Sequence, residues 1–186
     1  MYIIIFSRLL SLKEFGFYVS VTVLSTICLL IAVTINTALL PRITNLFSQK
    51  NIIKFKTTYN AGFCLNLCLS CSLTITFCLF SEKILIVWTG NSELANWGYN
   101  VLMIYSVGYF FISLVHSLTT LLTAMGKLKI VTIANLFWAP ILTMLFFISA
   151  TYYDYLYAGL AWLFCNFMLF ILLAFLILIY EDFYIE

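Results

Sequence analysis

Long uncharged stretches of apolar residues dominate the chain, and short connections between them hold most of the charges. A helix needs about 20 apolar residues to cross the roughly 30 Å hydrocarbon core of a bilayer. Five stretches reach that length: residues 15–40, 59–80, 97–124, 130–149 and 157–180. We therefore predict a single all-α domain over residues 1–186, a polytopic membrane bundle with about five transmembrane helices.

Local signals refine the limits of these helices. The first stretch ends at Pro41 and Arg42, and a basic, amphipathic lead-in over residues 51–58 precedes the second. Pro140 lies inside the fourth stretch and is expected to kink its helix. Residues 2–12 are apolar but too short to span a bilayer at about 1.5 Å per residue, so we interpret them as the stump of a sixth helix rather than a signal peptide.

The amino-acid composition excludes a water-soluble protein. Apolar residues make up 65% of the chain and charged residues only 9%, whereas soluble domains have about 25% charged residues. A soluble domain of this size needs a polar exterior, so lipid must surround most of these side chains. The six cysteines all lie in apolar stretches, where a free cysteine packs as a small hydrophobe. They are Cys28, Cys64, Cys68, Cys71, Cys78 and Cys165.

Basic residues alternate along the four connections and predict an orientation. The first connection holds Arg42, Lys50, Lys54 and Lys56, and the third holds Lys127 and Lys129. The second and fourth together hold Lys83, Glu82, Glu93 and Asp154. Because cytoplasmic connections retain Lys and Arg, we place the first and third connections and the C-terminus in the cytoplasm.

Aromatic residues support this orientation, while the two tails oppose it. An aromatic belt gathers at the outer interface, as is typical of membrane proteins. It consists of Trp88, Trp97, Tyr152, Tyr153, Tyr155 and Tyr157. The tails have the opposite bias, with Arg8 and Lys13 outside and Glu181, Asp182 and Glu186 inside.

Polar residues inside the predicted spans are the candidates for function. The third span carries a stripe with 3, 4, 3, 4, 3 spacing on one helix face: Ser106, Tyr109, Ser113, His116, Thr120 and Thr123. Thr26, Asn36 and Thr37 lie in the first span, and Thr132, Asn135, Ala139 and Thr143 share a face of the fourth. Such faces suit a pathway for a polar ligand, but they would equally pack one helix against another.

The remaining chemistry of the chain is sparse. No nucleophile lies beside a base, no carboxylates are paired in a span, and no glycine-rich phosphate loop is present, so we predict that the chain is not an enzyme and binds no metal or cofactor. The net charge of +2 gives no indication of nucleic-acid binding. Lys50, Lys54 and Lys56 suit either a topological anchor or attraction to anionic headgroups.

Four short segments resemble bacterial polysaccharide transporters, the flippases of O-antigen and other lipid-linked oligosaccharides. They are residues 9–18 (LLSLKEFGFY), 38–43 (ALLPRI), 86–91 (IVWTGN) and 124–127 (AMGK). In that family an acidic-Gly-Tyr turn opens a long helix that ends on a proline before a basic connection. Their order and spacing match the C-terminal part of a member of the multidrug/oligosaccharidyl-lipid/polysaccharide exporter superfamily.

The resemblance implies a function in the bacterial inner membrane. Such a flippase moves an undecaprenyl-pyrophosphate-linked sugar unit from the cytoplasmic to the periplasmic leaflet by rocking two lobes around a cavity. Arg42 matches the basic residue after the family's proline and is the candidate for contact with pyrophosphate. The other candidates for the substrate pathway are Asn36, Ser113, His116, Thr120 and Asn135.

Three alternatives stay open at this point. A multidrug antiporter of the same superfamily usually has an acidic residue within its spans, and none lies in the five stretches here. The chain would otherwise be a membrane scaffold for glycan polymerase or transferase subunits, or an inert truncated remnant. Because alternating access needs two lobes, we expect a transporting form to meet a missing N-terminal half or a second copy.

Overall fold

The computed structural model describes residues 6, 10–152 and 155–182, and this part of the chain is helical without strands. The helices are α1 (Leu12–Ser25), α2 (Ile27–Ser48), α3 (Ile52–Thr89), α4 (Ser92–Ala124), α5 (Leu128–Tyr152) and α6 (Tyr155–Asp182). The first two form one continuous candidate span of 37 residues, so five helical units are long and apolar enough to cross a membrane. The predicted all-α membrane bundle is confirmed.

A capping box forms the N-terminus of α1. The Ser11 hydroxyl accepts a bond from the Glu14 amide at 3.3 Å, and the Glu14 carboxylate accepts one from the Ser11 amide at 3.0 Å. These reciprocal bonds satisfy amides that a helix start leaves without partners. At the other end of α1, the Thr26 amide bonds back to the carbonyls of Thr22 and Val23, and α2 continues from there.

The helices extend beyond the stretches predicted from apolarity alone. Pro41 lies inside α2, which continues to Ser48, so the helix does not end at the proline. The reason is packing, because Ile43 is fully buried in a cluster with Phe55 and Leu121.

The helix α3 also extends beyond the predicted span. The lead-in over residues 51–58 forms its first turns. Its helical dihedrals break at Phe80 (φ −121°, ψ 20°), where the second span was predicted to end. Pro140 lies inside α5, and the kink expected there stays a prediction.

The helix α4 is the centre of the bundle. It packs against α1, α2, α3, α5 and α6. In the most apolar part of α4, 61% of the residues are buried, compared with 11% in α5. The predicted stripe on α4 follows from this position: Ser106, Tyr109, Ser113 and Thr120 are buried, and His116 and Thr123 are partly buried.

An aromatic core fixes α1 and α6 against the middle of α4. It consists of Tyr18, Tyr105, Tyr109 and Trp162, and the hydroxyls of Tyr18 and Tyr105 are hydrogen-bonded to each other. The Trp162 ring stacks on Tyr105 with centroids 4.9 Å apart and meets Tyr109 edge-on at 5.0 Å. The ring of Phe6 packs on Tyr18 at 4.5 Å. Phe6 and residues 10–12 are the described part of the predicted stump; its other residues, including Arg8, lie outside the described chain.

The two ends of the bundle differ in character. At one end, which we call the aromatic end, Lys13 Nζ lies 2.5 Å from Glu93 Oε1, and Trp97 contacts Phe17 and Tyr155 with centroids 6.0 and 4.7 Å apart. At the other, the basic end, residues that flank the connections 49–51 and 125–127 form a separate apolar cluster, in which Phe47, Phe55 and Met125 pack with Ile177 of α6. The basic connections and the end of α6 therefore share one end, as the charge pattern predicts. Tyr153, Asp154 and Glu186 lie outside the described residues.

Candidate functional site

A group of buried polar side chains joins α2, α3 and α4. We call it the polar junction and define it as Asn36, Asn66, Ser113 and Ser117. The Nδ2 group of Asn36 donates to Ser117 Oγ at 3.1 Å, and that of Asn66 donates to the same oxygen at 2.9 Å. Asn66 Nδ2 also lies 3.0 Å from the Ser113 carbonyl oxygen. One serine hydroxyl on the central helix is thus shared by two asparagines from neighbouring helices.

Small residues on α4 make this geometry possible. Serine side chains let two helices approach closely and still offer a hydroxyl for interhelical bonding. Ser113 and Ser117 are one turn apart, so both face Asn66 from the same side of α4. Asn66 is completely buried, and its Oδ1 atom has no hydrogen-bond partner among the described residues. The junction therefore keeps one acceptor available inside the bundle.

The polar junction continues along α3 as a seam of hydroxyl groups. Ser70 donates to the Asn66 carbonyl at 2.6 Å, and Thr74 reaches the Ser106 carbonyl of α4 at 3.5 Å. Thr74 also lies 3.9 Å from the Cys28 sulfur on α2. Tyrosines apart, the buried polar residues of the described chain are all Ser, Thr or Asn. The polar groups that these fully buried residues add to an otherwise apolar interior are therefore uncharged.

His116 is one turn from Ser113 and Thr120 on α4. The imidazole is half-buried, and its Nδ1 atom is enclosed without a hydrogen-bond partner in the described part of the chain. The His116 carbonyl accepts the hydroxyls of Thr119 and Thr120, each at 2.8 Å. Thr120 is therefore satisfied within its own helix, whereas the His116 ring retains hydrogen-bonding capacity.

A cleft opens at the basic end, close to the polar junction. Both α3 and α6 pack on α4 but scarcely contact each other in the described chain, which leaves a space of about 400 Å³ between them. We call this space the basic cleft, and its walls include Lys56, Tyr59, Asn60, Phe63, Leu118 and Ile177. The Tyr59 hydroxyl donates to the Ser117 carbonyl at 3.4 Å, so the cleft and the junction meet at one residue of α4.

The structure brings together some of the residues predicted for the substrate pathway. Asn36 and Ser113 belong to the polar junction, and His116 and Thr120 lie beside it on α4. Arg42 is exposed on α2 toward the basic end.

Asn135 lies on an exposed face of α5, away from the polar junction. The reason is that α5 packs mainly on α6 through the adjacent face, where Trp138 Nε1 donates to the Cys165 carbonyl at 3.1 Å. Thr132 and Ala139, which share the predicted polar face, are exposed as well.

Sequence reasoning missed Asn66 and Ser117, which hold the junction together. A signal was present, because Asn66, Ser70 and Thr74 recur every four residues and define a polar face of α3. Cysteines alternate with these polar residues along α3, so the polar face does not stand out in the sequence. Cys64 and Cys68 are exposed on the outside of the bundle, and no cysteine of the described chain forms a disulfide.

The bundle is that of a multi-pass membrane protein in which, tyrosines apart, the buried polar residues of the described chain are Ser, Thr and Asn. Comparison with protein families gives a match to the MatE family over residues 1–148, and the chain belongs to this family. It is therefore a membrane transporter domain of the multidrug/oligosaccharidyl-lipid/polysaccharide exporter superfamily, as the short segments indicated. No curated protein and no solved structure matches the chain.

Proposed function

We propose that the chain is a lobe of an alternating-access flippase that carries an undecaprenyl-pyrophosphate-linked oligosaccharide across the bacterial inner membrane. The observation that carries this proposal is the set of buried polar residues inside the bundle, which apart from tyrosines are uncharged Ser, Thr and Asn residues in the described chain. Amide and hydroxyl groups exchange hydrogen bonds with sugar hydroxyls without demanding a charge on the substrate. A pathway for a glycan needs such groups over its whole length.

The distribution of acidic residues separates this proposal from its main rival. A cation-coupled drug antiporter needs a titratable carboxylate in the membrane interior, where such a residue is costly and kept for function. Glu14 and Glu93 lie in the first turns of α1 and α4, and Glu82 lies beyond the break at Phe80 in α3. All three are outside the predicted spans, so the interior favours an uncharged, hydrogen-bonding part of the substrate, such as the glycan, and leaves the pyrophosphate to the basic end.

The proposal gives each candidate residue a role. Arg42 contacts the pyrophosphate at the basic end, where a guanidinium is matched to phosphate oxygens. His116 offers its ring nitrogen to a sugar hydroxyl, while Asn36, Ser113 and Thr120 form the wall behind it. Asn135, on the exposed face of α5, contacts the substrate from the side on which a second lobe closes.

A second lobe is part of the proposal. Alternating access is a motion of one helical unit against another around a shared site. We propose that this unit is a second copy or a separately encoded first half. The exposed polar face of α5, with Thr132 and Asn135, supports a partner on that side.

Complementation tests the proposed function directly. A strain without its own flippase receives the chain alone, the chain together with a matching first half, or the first half alone, and surface glycan is measured. We expect the chain alone to restore export if the second lobe is a second copy, and only the two parts together to restore it if the second lobe is a first half. If cation-driven efflux of drugs from vesicles appears instead, with no glycan export, the substrate assignment is wrong. Loss of both activities favours a scaffold, which cross-linking to glycan polymerase or transferase subunits in native membranes would identify.

Substitution of His116 and Arg42 tests whether these two residues contact the substrate. In the complementing system we expect His116→Ala and Arg42→Ala each to lower glycan export at least fivefold while protein levels change less than twofold. The reason is that each removes a polar contact to the substrate, worth about 1 kcal/mol or more. Ser48→Ala is the control, because this exposed serine bonds only to the Asn45 carbonyl among the described residues. Unchanged surface glycan in both variants would remove His116 and Arg42 from the pathway.

The orientation gives a third test. A fluorescent protein that matures only in the cytoplasm, fused after Glu186, is expected to fluoresce, while alkaline phosphatase at the same position stays inactive. The physical reason is that basic connections remain in the cytoplasm and the end of α6 lies at the same end of the bundle. Active phosphatase with a dark fluorescent fusion would reverse the proposed orientation.

A further inference from the structure

The basic cleft has the shape of a groove in the side of the bundle. Its floor is α4, represented by Leu118, and its two walls are α3 and α6. The walls hardly contact each other in the described chain, so the groove separates α3 from α6 along the side of the bundle. Its volume of about 400 Å³ is within the range of roughly 300–1,000 Å³ that is usual for ligand sites.

The polarity of the groove changes along its length. Lys56 comes first on α3, Tyr59 and Asn60 follow one turn further in, and Phe63 comes a turn later. At about 1.5 Å per residue, Lys56 and Phe63 are separated by roughly 10 Å along the helix. A cation therefore stands toward the membrane surface, hydrogen-bonding groups lie below it, and aromatic and aliphatic walls lie deeper. This is the order of groups in an anionic lipid, read from its phosphate to its chain.

The excess of basic residues at the basic end favours binding of an anion. Six basic residues lie in or beside the connections of the basic end: Arg42, Lys50, Lys54, Lys56, Lys127 and Lys129. The acidic residues that the sequence places near the end of α6 are Glu181, Asp182 and Glu186. Basic charges outnumber acidic ones by six to three, and Lys56 is the one that lines the groove.

We propose that the basic cleft binds an anionic phospholipid, with its phosphate at Lys56 and Asn60 and one acyl chain along Phe63, Leu118 and Ile177. The lipid fills the gap between α3 and α6 and holds these two helices against α4. Because Tyr59 bonds to the Ser117 carbonyl, occupancy of the cleft also stabilises the side of α4 that carries the polar junction. This site is independent of which substrate the transporter carries.

Retention of lipid by the purified full chain tests the proposal. The chain in a mild non-ionic detergent is titrated with phosphatidylglycerol, and bound lipid is counted by native mass spectrometry. We expect one tightly held phosphatidylglycerol, at least tenfold weaker binding of phosphatidylcholine with the same chains, and no competition by inorganic phosphate at millimolar concentration. Equal binding of the two lipids would overturn the role of charge, and full competition by phosphate would assign the site to a soluble anion.

Matched lysine variants distinguish a specific site from diffuse attraction. Lys56→Gln is expected to weaken phosphatidylglycerol binding about fivefold, the effect of one lysine near an anionic lipid. Lys54→Gln removes the same charge from the same turn of α3 but does not line the groove, and a change below twofold is expected. Equal losses in both variants would overturn the proposal.

A variant that fills the groove tests the role of shape without changing charge. Asn60 is exposed along the groove, so Asn60→Trp places an indole where the lipid chain enters. We expect this variant to lose the tightly bound lipid while it stays monodisperse on size-exclusion chromatography. Retention of the lipid by a folded Asn60→Trp variant would contradict the assignment. If that variant aggregates, the comparison of the two lysine variants decides alone.

Discussion

Replacement of Gly108 by alanine is expected to lower the free energy of unfolding by about 1–3 kcal/mol, the usual cost of overpacking a core. An added Cβ would lie 2.2 Å from Cζ3 and 2.7 Å from Cε3 of Trp162, well inside van der Waals contact. The indole cannot simply move aside, because Tyr105 stacks on it and Tyr109 meets it edge-on. Reversible unfolding in mixed micelles, followed by tryptophan fluorescence, measures the change.

Gly16→Ala is the matched control for this prediction. A Cβ added at Gly16 meets no atom within 4 Å, and the residue is exposed on α1. Alanine favours a helix over glycine by about 1 kcal/mol, so the control is expected to be neutral or stabilising. Gly62→Ala is expected to fall between the two, since its closest neighbour is the flexible end of Leu39 at 2.5 Å. A Gly108→Ala protein as stable as the Gly16→Ala protein would show that Trp162 is free to shift.

A double variant identifies the clash as the cause. Trp162→Leu alone removes a large aromatic contact and is expected to destabilise the bundle. Combined with Gly108→Ala, it removes the ring that the new methyl group meets, so the two losses are expected to be less than additive. If the two losses of unfolding free energy add exactly, the destabilisation by Gly108→Ala does not come from a clash with Trp162.

The number and type of the helices could be predicted because the bilayer imposes them. A stretch of about 20 uncharged residues has few stable alternatives to a spanning helix in lipid, since every backbone polar group must be bonded internally. The grouping of the connections at two ends followed from the number of spans, and the contact of Lys13 with Glu93 agrees with it. The cytoplasmic assignment of the basic end stays a prediction. The same reasoning was less accurate for the helix ends, because Pro41 signals a stop that the burial of Ile43 overrides.

The partners of each helix face could not be predicted in the same way. Periodicity placed Ser113 and His116 on one stripe of α4, but only the packed structure shows that Ser117, outside that stripe, bonds two asparagines. Asn135 was predicted by the same rule as Asn36, yet it lies on an exposed face. Their sequence environments are alike, and the difference lies in the position of the helix, because α2 packs on the central helix whereas α5 lies at the edge.

Truncation of Asn66 to alanine is expected to produce the second large effect. Asn66 makes two interhelical hydrogen bonds to α4 and is completely buried, so its loss leaves a small cavity and removes both bonds. We expect the free energy of unfolding to fall by about 1–3 kcal/mol, because interhelical hydrogen bonds in membranes contribute about 0.6 kcal/mol each and the unpaired groups add to the cost. Ser72→Ala, at an exposed position of α3, is expected to change stability by less than 0.5 kcal/mol, about the usual limit for surface changes.

A double-variant cycle with Asn36 tests whether the junction acts as one unit. Both asparagines donate to Ser117 Oγ, so Asn36→Ala and Asn66→Ala are expected to be non-additive by about 0.5 kcal/mol or more. Additive losses would mean that each asparagine bonds independently of the other.

One further variant distinguishes two hypotheses about the polar junction: that it only packs the helices, or that it lines the transport pathway. Asn66→Leu keeps much of the side-chain volume but removes the amide, including the Oδ1 atom that has no partner among the described residues. If the junction only packs the helices, export in the complementing strain is expected to follow the amount of folded protein. If it lines the pathway, export is expected to fall at least tenfold in protein that still reaches normal levels, since an apolar side chain cannot replace the hydrogen bonds that a glycan loses. A normal export rate in folded Asn66→Leu protein would assign the junction to packing and leave His116 as the polar group of the pathway.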